Sequence, residues 1–124
     1  MSDILVVDDD PDICALVSFK LEQAGHNVTV AHDGEAGLEA VRAQDWDLIL
    51  LDWMMPRKTG PEVSREIRTI EGRENVPVIM LTAKAQESDI EIGFAAGADD
   101  YVVKPFSPRE LSTRVTAALA RRVG

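Results

Sequence analysis

The sequence predicts an α/β fold, a parallel sheet with helices packed on both faces, and three observations carry that prediction. Short apolar runs alternate with stretches of helical periodicity from one end to the other. One run, Leu48-Ile49-Leu50-Leu51, is continuously apolar, as a strand covered on both faces must be. The 124 residues accommodate five strand–helix units around one core and little else, so a single domain over residues 1–124 is expected.

Taken in order, the first strand is Ile4 to Val7, and Asp10 caps a helix opened by Pro11. That helix carries Ile13, Leu16, Val17, Leu21 and Ala24 inward and stops before Gly25. Val28 and Val30 alternate with polar neighbours in a half-exposed second strand, and Asp33-Gly34 turns into a helix that buries Leu38 and Val41. The third strand, Leu48 to Leu51, ends abruptly at Asp52, and a loop with Pro56 and Gly60 follows. Pro61 opens the third helix, with Val63, Ile67 and Ile70 on its inner face, and Val76 to Leu81 supplies the fourth strand, where Pro77 fits only near the start. Ile90, Phe94 and Ala95 mark a shorter fourth helix ending near Gly97, and Tyr101 to Val103 makes the fifth strand. Ser107, Pro108 and Glu110 form a capping-box start for a last helix buried through Leu111, Val115 and Leu119.

Charge and composition narrow the function. Thirteen basic against twenty-two acidic side chains give a net charge of -9, which repels the phosphate backbone of nucleic acid, so this domain is not expected to bind it directly. The single cysteine, Cys14, cannot close an intrachain disulfide, and the sequence has neither a signal-peptide pattern nor a membrane-spanning run. A soluble, cytoplasmic protein without membrane partners is expected.

The residues of chemical interest fall at the C-terminal ends of the strand runs: Asp8 and Asp9 after the first, Asp52 after the third, Thr82 after the fourth and Lys104 after the fifth. In a parallel sheet those ends share one edge, where open α/β sheets place their ligands. Three crowded carboxylates need compensation, and a hard cation with oxygen ligands supplies it; Mg²⁺ is the natural choice, with Mn²⁺ as an alternative. Lys104 adds a point charge and Thr82 a hydroxyl donor, so together they can hold the equatorial oxygens of a phosphoryl group while an Asp52 oxygen attacks in line. Each residue alone has a plainer reading. An isolated acid is usually a cap or a solvated loop residue, as Asp10 and Asp12 are taken to be, and a lone Thr82 or Lys104 would be an ordinary strand or surface residue. The conjunction at four strand ends carries the argument, although a structural ion-pair cluster would mimic part of it.

The segments ILVVDDDPD, DLILLDWMMPRKTG, VPVIMLTAK and GADDYVVKPFSPREL together resemble the receiver domains of two-component response regulators, the CheY-like superfamily. The resemblance covers essentially the whole chain. It implies a flavodoxin-like doubly wound three-layer sandwich with strand order 2-1-3-4-5, for which a chemotaxis member of the family is a standard example. It further implies that Asp52 accepts a phosphoryl group from a sensor histidine kinase or a phosphotransfer protein. Asp8, Asp9 and Asp52 then hold the metal together with the Met54 backbone carbonyl, and Thr82 and Lys104 contact the acyl phosphate. Tyr101 matches an aromatic switch position whose ring turns inward as the Thr82 hydroxyl moves toward the phosphoryl group, and Lys104-Pro105 matches a cis peptide bond. Met54 and Lys84 stand at the positions flanking the line of water attack, which implies a long-lived acyl phosphate.

DWMMP and KPFSPREL most resemble the OmpR/PhoB type, which carries a winged-helix DNA-binding output domain after the receiver. A transcriptional role through such a domain is implied, with a receiver acting alone through protein–protein binding as the alternative; Arg121-Arg122 reads either as the start of a linker or as a helix-terminal charge pair. Phosphorylated members of that type pair through the face made by the fourth helix, fifth strand and fifth helix. Asp99, Asp100, Glu110, Arg114 and Arg121 supply charges for such a pairing, and Ile90 stands where the type usually has a basic residue, so a weak dimer is expected. Three rival classes fit less well. A haloacid-dehalogenase-type phosphohydrolase needs two acids spaced by one residue after a single strand, a flavodoxin-like flavin carrier needs a first loop that does not repel phosphate, and a phosphorylation-independent binding module leaves the complete set of chemical residues without a purpose.

Overall fold

The computed structural model describes residues 2–83 and 86–123, the last two of these in backbone only. The elements run β1 (Asp3–Val7), α1 (Pro11–Gln23), β2 (Asn27–Ala31), α2 (Gly34–Ala43), β3 (Leu48–Asp52), α3 (Gly60–Thr69), β4 (Val78–Thr82), α4 (Glu87–Ala95), β5 (Asp100–Val103) and α5 (Pro108–Val123). All four strand pairings are parallel, in the order β2-β1-β3-β4-β5 that the family resemblance implied.

Strand alternation splits the core into two layers. Leu5 and Val7 of β1 join Ile49 and Leu51 of β3 under α2 and α3, through Leu38, Val41, Val63 and Ile67. Ile4 and Val6 point the other way, with Leu48 and Leu50, against Cys14, Val17 and Leu21 of α1 and Leu111, Val115 and Ala118 of α5. β3 is buried at every position, so its four apolar residues serve both layers and its last residue, Asp52, is a buried carboxylate at the C-terminal edge of the sheet.

Local signals behave as the sequence indicates. The Asp10 carboxylate accepts from the Asp12 N–H and Pro11 opens α1. Asp33 caps α2 in the same way, and Thr59 with Glu62 forms a complete capping box on α3. At α5 the Ser107 hydroxyl accepts from the Glu110 N–H at 3.0 Å. Among the described residues no helix is long and apolar enough to cross a membrane.

Several details differ from the sequence-based expectation. On α1 the buried stripe is Cys14, Val17 and Leu21, while Leu16 is 43% exposed and Ala24 is the exposed C-cap. Leu16 lies two positions from Cys14, about 200° around the helix, so it cannot share that stripe. On α5 Ala118 is buried and Leu119 only partly so. β4 begins at Val78, because Pro77 has no N–H for the ladder, although its carbonyl still accepts from Ile49 at 2.9 Å. α4 contacts the domain sparsely: Gly93 is its buried residue, Ile90 is half-buried, and Ile92 and Phe94 are close to half exposed. Two arginines with no role assigned from sequence act as staples. Arg68 donates to the Gly97 and Val76 carbonyls, and Arg73 to the Val41 and Gln44 carbonyls, so each ties the end of a helix to a loop.

Candidate functional site

Strand register brings the polar residues together. Val7 pairs with Leu51, so Asp8 and Asp52, each one residue further on, stand side by side; Asp52 pairs with Leu81, just before Thr82, and Thr82 pairs with Val103, just before Lys104. Backbone hydrogen bonds continue this order past the strand ends, with Trp53 N–H donating to the Leu81 carbonyl at 3.0 Å and Lys104 N–H to the Thr82 carbonyl at 2.8 Å. Five residues separated by as many as 96 positions in the chain thereby converge on one edge of the sheet.

Burial decides what the site can do. Asp8 is fully buried, Asp52 is 4% exposed and Thr82 is buried as well, whereas Asp9 is exposed. Carboxylate oxygens of Asp8, Asp9 and Asp52 lie within 4.8 Å of one another. The Lys104 ammonium bridges two of them, 3.1 Å from Asp8 Oδ2 and 3.0 Å from Asp52 Oδ1. Asp8 Oδ1 accepts from the Asp10 N–H at 2.9 Å, which fixes that carboxylate from the other side. Burial is the main cause that pushes the Asp52 carboxyl up to about 6; Asp8 and Asp9 add to the effect and Lys104 opposes it. Burial also works against the Lys104 charge, but its hydrogen bonds to Asp52 and Asp8 outweigh that and hold its pKa above the ordinary lysine value. Behind the site the Cys14 thiol donates to the Asp8 carbonyl, and burial together with Asp8 raises it to about 11, so it is a poor nucleophile at neutral pH.

One ammonium against three carboxylates leaves the pocket short of positive charge, and the donors on offer are all oxygens. The residues therefore fit a small hard divalent cation such as Mg²⁺, which Asp8, Asp9 and Asp52 could hold. Because Asp52 must lose its proton to bind the ion, affinity should fall as pH drops below about 6, approaching tenfold per pH unit, and level off above. Calorimetric titration with Mg²⁺ across that range checks this, and an affinity that does not change between about pH 5 and 7 would contradict it.

The loop after β3 closes back on Asp52. Trp53 and Met55 are buried while the Met54 side chain is 59% exposed, and Arg57 adopts a positive φ of 71°. Gly60 closes the loop, its N–H donating to the Trp53 carbonyl at 2.8 Å. A Cβ at Gly60 would stand 2.6 Å from the Asp52 carbonyl oxygen and 2.9 Å from Trp53 Cα, so glycine is what lets α3 begin directly against the backbone of Asp52. Sequence reading placed Gly60 in the loop without giving it a role; its position eight residues after an exceptional strand-terminal aspartate is the only hint that it had one. Lys58 also gains a role, bridging Glu35 of α2 at 3.2 Å and Glu66 of α3 at 2.5 Å.

The remaining expected residues fall as follows. Lys104-Pro105 is a cis peptide bond. Tyr101 is already turned inward, 8% exposed, with its hydroxyl donating to the Asp89 and Ile90 carbonyls at 3.0 and 3.2 Å and its ring centroid 6.3 Å from that of Trp53. The ring thus needs no rotation to reach the packed position. Asp99 accepts from the Val78 N–H and pairs with Arg68, and Asp100 pairs with Arg114 at 3.0 Å, so both acids are engaged within the chain. Glu110 lies 3.9 Å from Arg114, and Arg121 lines a surface concavity of about 480 Å³ with Asp100, Glu110 and Arg114. Ile90 packs toward the domain's own core. Lys84 lies outside the described residues.

Comparisons with known proteins agree with this geometry. Residues 4–116 match the family described as the response regulator receiver domain. The alkaline phosphatase synthesis transcriptional regulatory protein PhoP of Bacillus subtilis is 46% identical over 118 residues, which is 95% of this chain and 48% of that protein. The DNA-binding response regulator MtrA of Mycolicibacterium smegmatis is 47% identical over 118 residues, 95% of this chain and 50% of that protein. The chain therefore spans about half the length of the curated relatives it matches. Among solved structures, the receiver domain of a Pseudomonas aeruginosa sensor histidine kinase, with a magnesium ion coordinated in its active-site cleft, superposes with a TM-score of 0.89 at 34% identity, covering 96% of this chain and 98% of that one. A parallel sheet in the order 2-1-3-4-5, an acidic cluster at its C-terminal edge and a match over nearly the whole chain lead to one conclusion: the chain belongs to the response regulator receiver domain family.

Proposed function

We propose that Asp52 is the phosphoacceptor of a signalling switch, supplied by a sensor histidine kinase or a phosphotransfer protein. The observation that carries this reading is a nearly buried carboxylate at the end of β3 whose Oδ1 is hydrogen-bonded by Lys104 while two further carboxylates crowd it. An Asp52 oxygen attacks phosphorus, the P–N bond to the donor imidazole breaks, and the imidazole leaves with the bonding electrons. Lys104 and Thr82 then receive the equatorial oxygens of the aspartyl phosphate. Asp8, Asp9, Asp52 and the Met54 carbonyl hold Mg²⁺, which supplies charge neutralisation for the transferred group. Support for the ion comes from the donor set and from the magnesium seen in the related kinase receiver domain. Intact-mass analysis after incubation with a small-molecule phosphodonor tests the assignment: one phosphoryl group is gained with Mg²⁺ and none without.

Lys104→Ala separates binding from signalling. The variant loses the ammonium between Asp8 and Asp52 but keeps every proposed metal ligand, so Mg²⁺ should bind at least as tightly as in the wild type. Its response to a phosphoryl mimic, read as a change in amide spectra of α4 and β5, should be largely lost. A wild-type response would count against the lysine's contact with the phosphoryl group.

The output is proposed to be transcriptional, through a DNA-binding domain, in line with one curated relative named as a transcriptional regulatory protein and the other as a DNA-binding response regulator, with residues 1–124 as the receiver unit. Self-association through α4, β5 and α5 is proposed to be weak. Asp99 and Asp100 are already paired within the chain, which leaves rim charges worth about 0–1 kcal/mol each. Sedimentation with a phosphoryl mimic should show a monomer–dimer equilibrium only at high concentration, and a tight dimer without the mimic would refute the proposal.

A further inference from the structure

Gly93 is the one residue of α4 that is buried, in the interior of a nine-residue helix where glycine is the poorest non-proline choice. A packing reason is needed for a glycine at such a position. The structure supplies it: a Cβ built on Gly93 would stand 1.6 Å from the Tyr101 hydroxyl oxygen and 2.5 Å from Cζ. No real Cβ tolerates that approach, so the phenol of β5 occupies the volume that any other residue at this position would fill. The same hydroxyl donates to the Asp89 and Ile90 carbonyls in the first turn of α4, and the ring meets Phe94 edge-on at 5.3 Å. The C-terminal end of α4 is held separately, by the Ser64 hydroxyl donating to the Ala96 carbonyl at 2.8 Å and by Arg68 donating to the Gly97 carbonyl. At the N-terminal end the cap residue Gln86 makes no side-chain capping bond, so besides the partly buried Ile90 the tyrosine is what ties the first turn down.

We propose that Gly93 is a positioning residue that holds Tyr101 in its inward pose, and that this glycine–tyrosine seat ties the first turn of α4 to the sheet. Any larger side chain at 93 evicts the phenol, breaks both hydrogen bonds to the first turn and loosens the helix without touching Asp8, Asp9, Asp52, Thr82 or Lys104. Only the consequence for signalling rests on the phosphoacceptor reading; the seat itself is a statement about packing.

Tyr101 is the single tyrosine of the chain, which gives a clean optical readout. Burial raises its pKa above the ordinary value, and Asp89 adds to the effect against one backbone hydrogen bond from Gly93. In Gly93→Ala the phenol, followed by tyrosinate absorbance, should titrate closer to the ordinary value of about 10, and amide exchange in α4 should quicken by tenfold or more. Phosphoryl uptake should stay within about twofold of wild type, because no residue of the site has moved. Gly93→Ala should also lower the melting temperature in the Tyr101 protein and leave it level or higher in a Tyr101→Leu background, where the methyl meets no phenol. That rescue separates eviction of Tyr101 from a general intolerance of alanine at 93, and it remains readable if the single variant folds poorly. An unchanged tyrosine titration, or an equal loss of stability in both backgrounds, would overturn the proposal. Failure of phosphoryl uptake in the wild type together with a shifted titration in the variant would instead leave the seat intact and remove the signalling role.

Discussion

Asp52→Asn should abolish phosphoryl labelling while leaving the domain folded and, at neutral pH, more stable than the wild type. An amide oxygen is a poor nucleophile and cannot form the acyl phosphate, so no mass gain is expected with phosphodonor and Mg²⁺, against one base-labile phosphoryl group in the wild type. The stability effect follows from the elevated carboxyl pKa. Folded Asp52 titrates near 6 against an ordinary value of 3.8, so between those values the folded state binds more protons than the unfolded state. Wild-type stability from this group is therefore fully present below about pH 4 and is lost as pH rises through about 6. Asn carries no such penalty. Its advantage in melting temperature, measured without metal, should be greatest above about pH 6 and vanish toward pH 4. Labelling of the variant at the wild-type rate would exclude Asp52 as acceptor, and a melting difference that grows on acidification would refute the electrostatic account.

Gly60→Ala should be the most damaging conservative change near the site. The added methyl would meet backbone on two sides, the Asp52 carbonyl oxygen at 2.6 Å and Trp53 Cα at 2.9 Å, as well as Met80 Sδ at 2.8 Å. Backbone cannot step aside as a flexible side chain can, so the clash is relieved by shifting α3 or the acceptor loop, at a cost of about 1–3 kcal/mol or more. Better helix propensity returns at most about 1 kcal/mol. A drop of about 5–15 °C in melting temperature is expected. Phosphoryl uptake should slow as well, because the atom displaced first belongs to Asp52 itself. Gly34→Ala is the matched control: its Cβ would meet Val63 Cγ2 at 2.8 Å and Lys58 Cβ at 3.0 Å, with no backbone atom nearer than 3.7 Å and none belonging to Asp52, so its cost should be smaller and its uptake near normal. Equal effects of the two variants would show that proximity to the acceptor backbone is not what makes Gly60 necessary.

The two arginine staples, the seat of Tyr101 and the Gly60 contact share one feature: each joins residues eight or more positions apart through geometry that no local pattern encodes. Arg68 reaches Gly97 and Asp99 across 29 and 31 positions, and nothing within α3 distinguishes it from the exposed Arg65 three residues earlier. The same limit explains the errors on α1 and α5, where hydrophobicity alone could not tell Cys14 from Leu16 or Ala118 from Leu119. Burial there depends on the angle at which each helix lies on the sheet, a property of the packed layers.

By itself the sequence determined the strand–helix alternation, the caps at Asp10 and Ser107, the turn at Asp33-Gly34, and the placement of Asp8, Asp9, Asp52, Thr82 and Lys104 at strand ends. Period, capping chemistry and the buried run of β3 are local and strong enough to survive any tertiary context. Strand order, the cis bond before Pro105 and the outline of the switch came from likeness to a family rather than from local physics. Only the tertiary structure decided that the Lys104 ammonium bridges Asp8 and Asp52, that burial lifts Asp52 to about 6, that Tyr101 sits over a glycine, and that Asp99 and Asp100 are engaged within the chain. Those outcomes depend on which side chains share a desolvated volume, and that is settled by how five strands register and two helical layers close over them.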